Sequence, residues 1–366
     1  MNILLVEPAF PIPAKSKNHC NFLPIGLLKI AAYHRKQGDK VELHRGNFRA
    51  KTYPKEIKIT SLFTYWSQHV WDSVSFYKTL YPKARIQVGG IYASLMPQHA
   101  KQSGCDDVQI GLYQKGAAEY CDPAYDMVDV DYQIIHASRG CFRKCNFCGT
   151  WKIEPEVTYK KSIKNEIKKK KLVFYDNNLI ANPHIKTILS EIAEYKLPDK
   201  NKVHCESQSG LDGRLLIKDP EIATFLKRAR FQYPRIAWDG HYSHWYKIKE
   251  QIQILKDAGF SSEYIFIFML FNHDLSYEEM KLKLDACRRW KVRVIDCRFR
   301  PLDRTFDGYK PQAKNQSEEE YYIHPKWTDK QVRAFRRAVR RQNIAILLDL
   351  PNGRYIDGVE KGYIPV

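Results

Sequence analysis

The stretch HASRGCFRKCNFCGTW, residues 136–151, places Cys141, Cys145 and Cys148 within eight positions of a lysine-rich chain. A structural zinc site takes four protein ligands, usually as two separated Cys/His pairs, and no second CxxC or HxxxH accompanies this one. A thiol–disulfide motif needs only CxxC, which leaves Cys141 unexplained. A [4Fe–4S] cube bound by three thiolates keeps one iron open for another ligand. Three cysteines in a single loop match that need. The other six (Cys20, Cys105, Cys121, Cys205, Cys287, Cys297) are scattered and the total of nine is odd. They read as buried apolar thiols in a reducing compartment, not as a disulfide framework.

The residues on both sides of the triplet alternate strand and helix patterns. Before it, strands are expected at 2–8, 40–46, 58–66, 85–93 and 107–112. Helices are expected at 23–38, closing on Gly38, and at 68–80. Gly89–Gly90 falls at a strand end, where ligands approach open α/β sheets. From QIIHASRG (133–140) onward, further strands are expected at 171–178, 202–209, 235–240, 264–271 and 292–299. Helices at 219–229 and 276–290 lie among them. Such alternation implies parallel sheets covered by helices, and six βα steps in about 170 residues suit a partial barrel or an open sheet. A polar linker spans 303–320 and a last helix 328–342.

The 366 residues are 44% hydrophobic and 28% charged, a globular composition. The longest apolar runs, such as YIFIFMLF (264–271), are strand-length, so no membrane-spanning helix is expected. The start MNILLVEPAF enters a strand pattern without a signal-peptide layout, which predicts a cytoplasmic protein. The net charge of +19 fits either an anionic partner or a lysine-biased composition. Its densest run, YKKSIKNEIKKKKLVF (159–174), reads as a solvated helix face or a binding patch. The helix 328–342 carries Val332, Phe335 and Val339 on one face, ringed by Arg333, Arg336, Arg337, Arg340 and Arg341. It reads as a docked helix with a basic solvated side, or as a phosphate-contacting element.

CxxxCxxC with Phe147 before its last cysteine, following a first barrel strand and flanked by SRGC, resembles the radical SAM superfamily. The resemblance implies a [4Fe–4S] cluster on Cys141, Cys145 and Cys148 and S-adenosylmethionine as co-substrate. It implies Phe147 packing near the adenine. Similarity of YDNNL (175–179) to the family's second-strand motif implies Asp176 and Asn177 near the methionyl amino group. CESQSGLDGR (205–214) offers Glu206, Gln208 and Arg214 for ribose and carboxylate, although a strict GGE is absent. WDGHYSHWY (238–246) and CRFRPLDR (297–304) are expected pocket linings. A reductant such as flavodoxin or ferredoxin is implied as partner.

The N-terminal stretches ILLVEPAFP, LPIGLLKIAAYHRKQGDKVEL and IQVGGIYASLMP resemble the cobalamin-binding-like domain that precedes the barrel in one subgroup. The DxHxxG loop of histidine-ligated cobalamin is missing: the loop contains His19 without the Asp or the Gly. A scaffold role is therefore favoured over cobalamin binding. The expected fold is α/β. A Rossmann-like, cobalamin-binding-like parallel sheet covers 1–125, a partial (β/α)6 TIM-type barrel 126–305, and a short helical extension 306–366. The expected activity is reductive cleavage of S-adenosylmethionine, with hydrogen abstraction and C–H functionalisation, rearrangement or ligation of a substrate that the sequence does not identify; the basic charge allows an anionic one, a nucleic acid or a phosphorylated small molecule. The alternatives are a cobalamin-dependent methyltransferase and a basic nucleic-acid-binding protein with a structural cluster.

Overall fold

β1 (Asn2–Glu7) is buried from Ile3 to Glu7, as a central parallel strand covered on both faces must be. α1 (Ile25–Lys36) ends on His34, Arg35 and Lys36, which complement the helix dipole. It stops where Gly38 takes φ +80°. β2 (Lys40–Arg45), β3 (Glu56–Ser61), α2 (Ser67–Leu80), β4 (Arg85–Gly90), α3 (Ile91–Leu95), α4 (Pro97–Lys101) and β5 (Asp107–Gln109) follow. The five strands pair in parallel in the order β2-β1-β3-β4-β5. Ile3 and Leu5 pack with Leu27 and Ala31 of α1 on one face. Leu4 and Val6 pack with Val70 and Val74 of α2 on the other. This is an open α/β sheet with helices on both faces. The strand expected over 85–93 ends at Gly90. That residue has φ +100°, and a Cβ there would meet Ser61 O at 2.3 Å, so only glycine lets the chain turn into α3.

The chain continues through β6 (Tyr132–Ile135), β7 (Ser138–Arg139), α5 (Thr150–Ile153), β8 (Thr158–Tyr159), β9 (Lys171–Phe174), α6 (Ile185–Glu194), β10 (His204–Ser207), α7 (Gly213–Lys218) and α8 (Glu221–Arg228). β11 (Phe231–Gln232), β12 (Arg235–Ala237), α9 (Trp245–Asp257), β13 (Phe266–Phe271), α10 (Tyr277–Arg289), β14 (Arg293–Arg298) and α11 (Asp329–Leu347) complete it. Three sheets result, ordered β11-β10-β9-β6, β12-β13-β14 and the two-stranded β7-β8. The pairings β9–β10, β10–β11, β12–β13 and β13–β14 are parallel. A parallel bridge from Leu211, just past β10, to Ile236 of β12 links the first two sheets.

The computed structural model describes residues 1–12 and 22–349. Two compact units emerge: residues 1–134, 139–158 and 300–308 form one, and residues 135–138, 159–299 and 309 onward the other. The second has one continuous core that runs from Phe174 and Phe231 to Trp238, Phe271, Trp327 and Phe335. α11 belongs to it. Phe335 lies against Phe271 with ring centroids 5.0 Å apart. Asn343 donates to Val294 O and accepts from Val294 N at 2.7 and 2.8 Å, which satisfies the edge strand β14. A capping box, Thr328 with Gln331, starts the helix. Among the described residues no helix is long and apolar enough to cross a membrane.

Candidate functional site

The cysteine loop belongs to the first unit. At its entry Gly140 takes φ +73°, and a Cβ there would meet Glu156 O at 2.2 Å. Glu154 accepts the Gly140 N–H at 3.0 Å and pairs with Arg139, tying the two sides of the loop together. Within it, Arg143 N–H points at Cys141 Sγ (3.4 Å), Cys148 N–H donates to Cys145 O (3.1 Å), and the Trp151 indole donates to the same carbonyl (3.1 Å). Cys148 Sγ lies 3.4 Å from Thr150 Oγ1. Gly149 packs against Leu95 and Leu302.

Cys141, Cys145 and Cys148 are all half-exposed, whereas Cys105, Cys121, Cys205 and Cys287 are buried; Cys297, expected buried, is half-exposed at the end of β14. Burial pushes the thiols of Cys205 and Cys287 far up, so they stay protonated. Among the described residues no three His, Cys, Asp or Glu side chains are gathered closely enough to hold a metal ion. The donor set fits a three-thiolate iron–sulfur site in type and accessibility, and the loop must draw its sulfurs together to hold one. Gly140→Ala is expected to cost about 1–3 kcal/mol through backbone strain and to lower iron uptake on reconstitution. An unchanged melting temperature and iron content would show that the turn is dispensable.

Asp176, Asn177, Glu206 and Gln208 come to the carboxyl ends of β9 and β10 in the second unit, the end at which ligands approach parallel sheets. The Asp176 carboxylate is fully buried. It accepts from Ala137 N (3.0 Å), Ser138 N (2.5 Å) and Ser138 Oγ (2.7 Å), the residues that lead into the cysteine loop. Burial raises it to about 6, against the pull of those donors. Its oxygens are thus spent on backbone. Asn177 is half-buried beside it.

Glu206 is buried in an ion pair with Arg235 and accepts Gln208 Nε2 at 2.8 Å. Arg214 is exposed at the start of α7, with Nε 2.8 Å from Asp212 Oδ1. Phe147 is half-exposed in the cysteine loop.

Three residues escaped the sequence reading. Arg235 locks Glu206 and also reaches Ser207 O; an arginine at the head of an otherwise apolar strand was the available signal. Asn182 donates to Ala137 O (2.9 Å) and Lys160 O (3.0 Å), and so holds the strand that Asp176 caps from the other side. Asn178 is buried with Nδ2 3.5 Å from Asp212 Oδ2, and its Oδ1 has no hydrogen-bond partner among the described residues. A buried amide oxygen without a protein partner is left to accept from water or a ligand.

Other expectations change. Residues 159–174 are not a helix: β8, a 3-10 turn at Lys164–Glu166 and β9 replace it, because the lysines alternate with buried Ile163, Ile167 and Leu172. Arg333 is buried against Asp329 and Gln316, so it does not belong to a solvated basic face, and the half-exposed Arg336 pairs with Asp296 at 3.0 Å. Trp238 and Arg298, expected as pocket linings, are buried. Lys283 donates to Trp238 O at 2.6 Å, and Arg298 lies over the Tyr309 and Tyr321 rings. His19 and its loop lie outside the described residues. No family model matches the chain, and no curated protein matches it.

Proposed function

We propose that the protein is a radical SAM enzyme that abstracts hydrogen from a substrate and so modifies it. The observation that carries the reading is the loop with its CxxxCxxC spacing, which follows β7 and presents three half-exposed thiols. We further read the strands of the second unit as a partial barrel, the protein as cytoplasmic, and a low-potential flavodoxin or ferredoxin as its reductant. Cobalamin is not part of the reading, because DxHxxG is absent.

When bound, a [4Fe–4S] cluster supplies the electron that cleaves S-adenosylmethionine to methionine and the 5′-deoxyadenosyl radical. The chain's own residues do the rest. Cys141, Cys145 and Cys148 would hold the cluster, while Glu154 and Gly140 fix the entry of their loop. Asp176 and Asn182 clamp residues 137 and 138, which lead into it, so these two are positioning residues. Asn178 Oδ1 and Asn177 would accept the methionyl ammonium. Gln208 and the carboxylate of Glu206 would face ribose hydroxyls, with Arg235 fixing that carboxylate's orientation. Arg214 would contact the methionyl carboxylate, and Phe147 the adenine.

The test is anaerobic reconstitution with iron and sulfide, followed by dithionite and S-adenosylmethionine. Formation of 5′-deoxyadenosine, resolved by chromatography, is the expected result. A protein that takes up a cluster and never consumes S-adenosylmethionine would instead be a binding protein.

A further inference from the structure

The helix layer of the second unit contains a cavity of about 600 Å3 that plays no part in the proposed reaction. It is open to solvent on one side and bordered by α9, the carboxyl end of α10 and the turn after it. Of its ten lining residues four are cationic and none is acidic: Lys249, Lys256, Arg289 and Lys291. Trp245, Lys249 and Lys256 recur at i, i+4 and i+11, one face of α9. Lys249 and Lys256 are exposed and have neither a carboxylate nor any other hydrogen-bond partner among the described residues. Lys291 shares its charge with Asp349 at 2.8 Å, and Arg289 Nη2 lies 3.5 Å from the Tyr242 hydroxyl.

The remaining wall is aromatic. Trp245 is 41% exposed, which is large for a residue whose burial stabilises so strongly. Trp290 is held rigidly by stacking on Trp238 (centroids 5.8 Å apart, planes 25° apart), and Trp238 stacks in turn on Tyr242. Flat apolar surface and uncompensated positive charge therefore meet in one concavity whose size is that of a small-molecule site. A bare phosphate would leave the tryptophans without a role, and a neutral ring would leave the lysines without one.

We propose that this cavity binds a nucleoside phosphate, with the base against Trp245 and Trp290 and the phosphate among Lys249, Lys256 and Arg289. The ligand is either a free nucleotide or one unit of a single-stranded nucleic acid, since both present the same ring and anion. The inference is independent of the cysteine loop, and its test needs no cluster.

Isothermal titration of the full chain with AMP, adenosine, inorganic phosphate and a twelve-residue oligoadenylate at 50 and 200 mM salt decides the matter. AMP is expected to bind more tightly than adenosine or phosphate alone. The charge reversal Lys249→Glu/Lys256→Glu, at exposed positions that leave the core untouched, is expected to weaken AMP at least about tenfold. Trp245→Ala is expected to bring AMP down toward the affinity of phosphate. Oligoadenylate binding much tighter than AMP, with a salt slope near −0.7 per phosphate contact, assigns the site to a strand; equal affinities assign it to the free nucleotide. No binding of AMP or oligoadenylate at millimolar concentration overturns the proposal, as does binding unchanged in the double variant. Phosphate binding as tightly as AMP overturns its nucleoside part.

Discussion

Replacing Cys141, Cys145 and Cys148 together by alanine is expected to abolish both iron–sulfur uptake and 5′-deoxyadenosine formation. Reconstituted wild type should hold about four irons and four sulfides, and the triple variant essentially none. The contrast lies in the surroundings of the sulfurs. These three are half-exposed on one loop, where iron and sulfide can reach them. Cys205 and Cys287 are fully enclosed in the core, and burial holds them as thiols. Cys205→Ala and Cys287→Ala should therefore retain full iron content while losing about 1 kcal/mol or more of stability through the small cavity each leaves. Full iron in the triple variant, by colorimetric assay and absorbance near the sulfide-to-iron charge-transfer bands, would remove the basis of the proposed activity.

Asp176→Ala is expected to cost about 3–5 kcal/mol, because it strands two backbone N–H groups and the Ser138 hydroxyl in a fully buried place. Urea unfolding, followed by tryptophan fluorescence, measures the loss; a change under 1 kcal/mol would mean that water or a backbone shift replaces the carboxylate.

The same residue makes stability depend on pH. Its folded value, near 6, lies above the ordinary 3.8. As pH rises from 4 to 6 the unfolded chain releases this proton first, so deprotonation favours unfolding across that window. The contribution is complete below about pH 4 and lost as pH passes 6, up to about 3 kcal/mol. Asp176→Asn carries no proton to lose. The stability of wild type relative to Asp176→Asn should therefore fall between pH 4 and 6 and level off above it; a difference that is flat or rising with pH would show that the carboxylate is ionised throughout.

Much of this was legible along the chain. The apolar run of β1, the Gly38 stop of α1, the heptad-like face of α11 and the three-then-two spacing of the cysteines are local signals, since periodicity and caps act within a few residues. So were the positions after β9 and β10, because a polar cluster closing an apolar strand marks a strand end. What the side chains there face was not legible. Asp176 turns to backbone 38 and 39 residues upstream, and Glu206 finds Arg235 29 residues downstream. Arg333 turns inward onto Asp329, not out to solvent, and the half-exposed Arg336 pairs with Asp296. Lys249 and Arg289 share a cavity although they sit on different helices. Each of these pairings depends on strand order and helix docking. A buried charge must be compensated by whatever the register brings opposite it, and only the tertiary structure decides what that is.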